Sequence, residues 1–292
     1  MRIPDSLFFT RARAQLEGSR SAFAEAQSRA LTGKRVQKPS DDPLAAAQAQ
    51  RASFRGKRAE GHERTVNVAL AALHVADDAL QHVSEALERA RQLALQAATD
   101  TQNADNRAAV AEEISQIREQ VRSLANTRAG GRYVFSGYSD GTEAFDPTGA
   151  YQGHPEAAQL RVAPGVSLAM GVPGDQIFAP PAGADAFATL EALETALRTN
   201  DVTGIRGAVD GIDASAKQVV DARAELGGSF ESAETALSVV QRIQDQSVAE
   251  QSKLTDADAI GAFSDLARAQ QALEAAVQIA ANLPPAGLLE RS

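Results

Sequence analysis

The chain has 292 residues, a net charge of −9, no Cys, no Trp and only three Tyr. The absent cysteines exclude disulfides and thiolate metal sites, and the acidic balance argues against a polyanionic partner, because phosphate binding needs clustered Lys and Arg. Hydrophobic residues make up 43%, but much of that is Ala, which favours helix and buries little, so the composition suits long helices packed side by side.

The first predicted helix covers residues 6–31. Phe9, Ala12, Leu16, Ser19, Phe23, Ala26 and Ala30 recur at spacings of three and four, the pattern of a coiled-coil seam. A turn-rich stretch follows, from Thr32-Gly33 to Pro39-Ser40-Asp41-Asp42-Pro43. Asp42 before Pro43 reads as an N-cap and first helical residue. The next seam is unbroken. It runs through Val66, Ala69, Leu73, Ala76, Leu80, Val83, Leu87, Ala90, Ala94 and Ala97, and its helix would be about 45–50 Å long at 1.5 Å per residue. A polar link over 99–106 interrupts it, and Asp105 is the expected cap of a helix carrying Val110, Ile114, Ile117, Val121 and Leu124. Two long helices joined by a short link usually form an antiparallel hairpin.

From about residue 130 to 181 Gly and Pro become dense. Gly130-Gly131 reads as a helix C-cap and turn. Tyr133-Val134-Phe135, Leu160-Arg161-Val162 and Val166-Ser167-Leu168 read as short strands. Helix returns near Phe187. A third strong segment carries Leu226, Phe230, Ala233, Leu237, Val240 and Leu254, and a last one Phe263, Leu266, Gln270, Leu273, Val277 and Ala280, ending at Leu283-Pro284-Pro285.

The expected fold is mainly α: an elongated bundle of long antiparallel, coiled-coil-like helices with a small β-rich insert at the distal end. The expected parts are an N-terminal core helix (1–34), two halves of a helical shaft (35–135 and 184–256), the insert (136–183) and a C-terminal core helix (257–292). Leu73, Leu80, Leu87, Ile114, Ile117, Leu237 and Val240 are the candidate shaft core. About half of the seam positions are Ala, and the terminal seams contain Ser19 and Gln270. A buried Leu or Val contributes about 1.5–3 kcal/mol and Ala much less, which is marginal against ordering entropy. The terminal helices are therefore expected to be poorly ordered in the monomer and to pair on assembly, with Phe9, Leu16 and Phe23 as the N-terminal seam. Phe263, Leu266, Leu273 and Val277 form the C-terminal one.

No chemistry stands out. His74 and His82 are eight residues apart, whereas helical metal ligands sit at three or four. Gly33-Lys34 lacks the first Gly and the final Ser or Thr of a phosphate loop. No catalytic constellation, metal site or cofactor motif is visible, and an enzyme is not expected. No apolar run approaches the roughly 20 residues that span a bilayer. The Ala-rich first seam suits helix partners better than lipid, so neither membrane nor nucleic acid is an expected partner.

Thr32-Gly33-Lys34-Arg35-Val36 with Pro39-Ser40-Asp41-Asp42-Pro43 resembles the segment after the first helix of bacterial flagellins and flagellar hook-associated proteins. Within that superfamily the chain is most similar to the hook-associated protein 3 family. Three passages carry this: Met1-Arg2-Ile3; Leu124-Ala125-Asn126-Thr127 leading into Gly131-Arg132-Tyr133-Val134-Phe135-Ser136-Gly137, where flagellins have a phenylalanine-asparagine-glycine turn; and Pro173-Gly174-Asp175-Gln176-Ile177-Phe178. Ser252-Lys253-Leu254-Thr255-Asp256-Ala257-Asp258 and Leu288-Leu289 resemble the C-terminal pattern shared with flagellins. Phe8-Phe9-Thr10 and the Arg-rich first helix depart from the family pattern. The resemblance covers essentially the whole chain. It implies a structural junction protein of the extracellular bacterial flagellum, exported without a cleavable signal peptide and held first by a cytoplasmic export chaperone. Its implied partners are identical copies in a ring, the other hook–filament junction protein and flagellin. A compact flagellin, or a coiled-coil adaptor outside the flagellum, are the alternative readings.

Overall fold

A computed structural model describes residues 5–99, 102–163 and 166–281. The elements in chain order are α1 (Asp5–Thr32), α2 (Pro43–Ala97), α3 (Ala104–Ala125), β1 (Arg128–Ala129), β2 (Arg132–Tyr133), β3 (Gln159–Ala163), β4 (Val166–Ala169), α4 (Gly174–Phe178), α5 (Ala186–Arg198), α6 (Val202–Thr255) and α7 (Ala259–Ala281). The expected mainly helical architecture, with long helices and a few short strands, is what the chain adopts. It divides into two compact units. One comprises residues 1–58 and 243–292, the other 59–242; α2 and α6 contribute residues to each.

The middle unit, 59–242, has a continuous apolar core. Along α2 every seam residue from Val66 to Ala97 at the expected spacing is buried, and Leu73, Leu80 and Leu87 have no exposed surface. Ile114, Ile117 and Val121 from α3 join them, with Leu190, Leu193 and Leu197 from α5 and Ile205, Ile212, Val219 and Leu226 from α6. Val240 is buried, while Leu237 is half-buried against the core. The ends of these helices are closed by side chains. Asn103, not Asp105, caps α3: its side-chain oxygen accepts from the Asn106 amide at 2.8 Å. Asp105 sits inside the first turn, where its charge faces the positive end of the helix dipole. Asp185 caps α5 by accepting from the Phe187 and Ala188 amides. The last carbonyls beyond α2 are met by arginines: buried Arg107 donates to the Ala97 and Thr99 carbonyls at 2.9 and 3.0 Å and to the Asn200 side chain.

The β-rich part differs in detail from expectation. Gly130 and Gly131 do not cap a helix, because α3 has already ended at Ala125. They are the two-residue turn joining β1 to β2, with φ of 58° and 85°. A tight hairpin needs positive φ at both central positions, which glycine adopts without steric cost. Of the expected strand Tyr133-Val134-Phe135 only Tyr133 lies in β2. The chain then turns, so that Phe135 enters the core. Phe135, Phe145 and Phe178 are fully buried and Phe187 nearly so; the Phe145 ring lies 5.4 Å from Phe178 and 5.0 Å from Phe187 between centroids. The two expected strands at 160–162 and 166–168 lie in β3 and β4, which pair antiparallel with Leu160 opposite Leu168. The break between α5 and α6 is not apparent in the periodicity. It turns on Asn200, at φ 57°.

The terminal unit, 1–58 and 243–292, is built differently. α1 packs along α7, and what they bury is small: Ser19 and Ala26 on α1, Ala262 and Ala276 on α7. These helices are expected to pair on assembly; in this structure α1 and α7 are paired within one chain. The small seam is the reason, because Ala and Ser let helix backbones approach closely. The expected stop at Leu283-Pro284-Pro285 lies outside the described residues.

Candidate assembly surface

The terminal unit is anchored at its chain crossings. Gly33, at φ 66°, ends α1: its amide donates to the Arg29 carbonyl at 2.9 Å. The segment behind it then runs against the end of α6. The Arg35 and Val36 amides both donate to the Thr255 carbonyl, at 2.7 and 3.1 Å, and the Ala257 amide donates to the Gly33 carbonyl at 2.8 Å. Lys34 and Asp256 are β-bridge partners. The Arg35 guanidinium donates to the Leu254 carbonyl at 3.0 Å and pairs with Asp42 at 3.2 Å. Two motifs 219 residues apart are thus joined by main-chain hydrogen bonds.

Carboxylates order the turn itself. Asp41 accepts from the Gln37 and Lys38 amides at 3.0 and 2.9 Å. Asp42 accepts from the Ala45 amide at 3.0 Å and so caps α2, which starts at Pro43 as the Asp-Pro pair predicts. Each has its pKa lowered below the ordinary carboxylate value: Asp41 by the Lys38 and Gln37 amides, Asp42 by the Ala45 amide and then Arg35. Asp256 is lowered as well, chiefly by the Ser252 and Thr255 hydroxyls, with Lys34 adding to it. Hydrogen bonds to the charged form favour ionisation.

Around this anchor the larger apolar side chains are left uncovered. Leu16 and Phe23 on α1 and Leu266 and Leu273 on α7 are half-buried, and Phe263 and Val277 are exposed. The Phe9 side chain lies outside the described residues. Ile260 is 84% exposed and Ile279 57%; neither belongs to the expected seam, although both fall on the same helix. The structure brings Leu16 and Phe23 together with the α7 residues in one helix pair. It buries Leu73, Leu80, Leu87, Ile114 and Ile117 separately, in the middle unit. The residues missed from sequence are Lys34, Arg35 and Asp256. Their motifs are visible, but nothing local signals that they meet.

His74 lies against the Phe230 ring, with centroids 4.7 Å apart, and His82 pairs with Glu85 on its own helix; the two do not converge. Among the described residues no group of three His, Cys, Asp or Glu could hold a metal, and no helix is long and apolar enough to cross a membrane.

Residues 8–140 match the bacterial flagellin N-terminal helical region. The chain is 28% identical to flagellar hook-associated protein 3 of Escherichia coli K12 over the full length of both. It is 29% identical to flagellar hook-associated protein 3 of Salmonella typhimurium LT2 over 94% of each chain. A solved structure of flagellar hook-associated protein 3 from Legionella pneumophila superposes with a TM-score of 0.62 at 15% identity, covering 71% of this chain and 99% of that one. Over nearly the first half of its length the chain is thus similar to the flagellin superfamily. Within that superfamily, its full-length similarity is to hook-associated protein 3.

Proposed function

We propose that this chain is a structural subunit of the bacterial flagellum, an adaptor that joins the hook to the flagellin filament by helical self-assembly. The observation that carries the reading is the full-length similarity to hook-associated protein 3, together with a terminal helix pair that leaves Phe263, Val277 and Ile279 exposed. Large apolar side chains on one helix contribute about 1.5–3 kcal/mol each when a neighbour covers them, so the pair gains from packing against other copies. Leu16 and Phe23, with Phe9 ahead of them, form the N-terminal part of that assembly seam; Phe263, Leu266, Leu273 and Val277 form the C-terminal part. The partners are identical copies in a ring, the other hook–filament junction protein on the hook side and flagellin on the filament side. Before export through the flagellar apparatus, a cytoplasmic chaperone covers the α7 seam. The role is mechanical and needs no catalysis.

The test is genetic and direct. A strain lacking this chain should secrete flagellin into the medium without building filaments, and the wild-type chain should restore them. Leu273→Asp should be exported poorly and fail to restore filaments, while the purified variant keeps the thermal midpoint of its middle unit. A deletion strain that still assembles filaments would sink the junction reading. A strain that secretes no flagellin-type subunit at all would favour a filament subunit instead.

A further inference from the structure

The chain's charge is divided very unevenly between its two units. Residues 1–58 and 243–292 carry 15 Lys and Arg against 12 Asp and Glu, a net of +3; residues 59–242 carry 14 against 26, a net of −12. The excess of positive charge in the terminal unit is concentrated on one stretch of α2. Arg51, Arg55, Lys57 and Arg58 fall within eight residues that contain no acid. Arg51, Phe54, Arg55 and Arg58 stand at i, i+3, i+4 and i+7, which puts them on one helical face. All are exposed, Phe54 by 55%. Arg55 pairs with Glu250. Arg51, Lys57 and Arg58 have no ion pair or hydrogen bond to another described residue. An open groove runs along this face, lined by Gln48, Arg51, Phe54, Arg58 and Glu250.

We infer that this basic stripe, with Phe54 at its centre, docks on the acidic middle unit of a second copy of the chain. The inference rests on the assembly proposed above and adds the surface that orients it. Two copies placed with like units facing each other would bring −12 against −12, which is repulsive at short range. Setting the stripe of one copy on the middle unit of the next makes opposite charges meet. That contact uses different surfaces on the two partners. It is heterologous, and heterologous contacts close into rings or extend as helices, whereas a self-complementary patch would stop at a dimer. An exposed aromatic flanked by arginines on one helical face also suits a contact centre, where Arg and Phe are enriched.

The experiment uses the deletion strain complemented with the full chain. Wild-type chain restoring filaments tests the junction reading, and its failure would remove that reading and this proposal together. The charge reversal Arg51→Glu/Arg58→Glu tests the stripe alone. It should still be secreted, keep the helical content and thermal midpoint of the wild type, and lower filament-bound flagellin tenfold or more. On isolated hook–filament junctions assembled from a mixture of isotopically light and heavy chains, a carbodiimide should couple the Lys57 amine to a carboxylate within 59–242 of another copy. Filaments at the wild-type level with the double variant would overturn the proposal. Coupling of Lys57 only within its own chain would do so as well. A variant that loses binding to phosphatidylglycerol vesicles while assembling normally would assign the stripe to a lipid surface, and the proposal would fall.

Discussion

At Gly137 the backbone is held at φ 60°, and a Cβ placed there would run into the His154 and Glu156 carbonyl oxygens. The residue ends the Gly131–Gly137 passage, and the turn it makes lets the Phe135 carbonyl accept from the Tyr151 hydroxyl at 3.0 Å. Gly137→Ala should destabilise the middle unit by about 2 kcal/mol or more, because a strained backbone alone costs about 1–3 kcal/mol; urea unfolding followed by tyrosine fluorescence measures it. A second consequence concerns Asp41, Asp42 and Asp256, whose folded pKa values are all lowered. Below their unfolded values the unfolded chain binds more protons than the folded one, so stability rises with pH through that window. What these groups contribute is fully present above the ordinary carboxylate range, near pH 4, and is lost as the pH falls through their lower folded values. The urea midpoint of the terminal unit should therefore fall on acidification through that window, and replacing all three with Asn should flatten that fall. An unchanged slope in the triple variant would refute the assignment.

Among the elements, the end of α2 is closed by an arginine from α3. Arg107 is 5% exposed and, among the described residues, has carbonyl and amide oxygens as partners but no carboxylate. It satisfies acceptors that the end of a 55-residue helix leaves open. Arg107→Met keeps much of the side-chain volume and strands the Ala97 carbonyl, at about 1–3 kcal/mol for a buried polar group left unpaired. Chemical denaturation of the variant checks this, and Arg107→Lys should recover only part of the loss, since one ammonium cannot reach in three directions with a planar fork. None of this was legible in the sequence, where Arg107 is one polar residue just after a polar link. The α2 seam was legible, because a 3-4 spacing carried by Leu and Val says which face is buried without saying what covers it. The start of α2 was legible too, from Asp42 and Pro43 alone. The Gly130-Gly131 turn was misread because a glycine pair after a helical pattern fits either a helix end or a hairpin. Only the pairing of Ala129 with Arg132 decides between them.

Over the whole molecule the two units hold together by different means. The middle unit has a core of Leu, Ile and Phe; the terminal helix pair is closed by Ala and Ser and by the hydrogen bonds between 33–36 and 254–257. Burial of small side chains contributes little, so the terminal unit should open at lower temperature. All three tyrosines lie in the middle unit and there is no Trp, which makes the two readily separable. On heating, far-UV circular dichroism should lose part of its helical signal before tyrosine fluorescence changes. Coincident transitions by both probes would mean one cooperative body and would overturn the expectation. The same contrast fits the proposed role. A subunit that must present a terminal seam to its neighbours has that seam on its less stable part.

Local physics settled the helical class, the buried stripe of α2, the start of α2 and the presence of strands at 160–162 and 166–168. These depend on side-chain periodicity, capping and strand alternation within a few residues of chain. Tertiary structure alone decided that α1 lies on α7, that Gly33 and Val36 meet Thr255 and Ala257, and that Arg107 reaches Asn200. Such contacts join residues far apart in the chain, and they depend on surfaces fitting each other, which no local pattern encodes. The charge division is of the same kind. Every Arg and Asp is written in the sequence, but the contrast of +3 with −12 exists only once the fold says which residues belong to which unit.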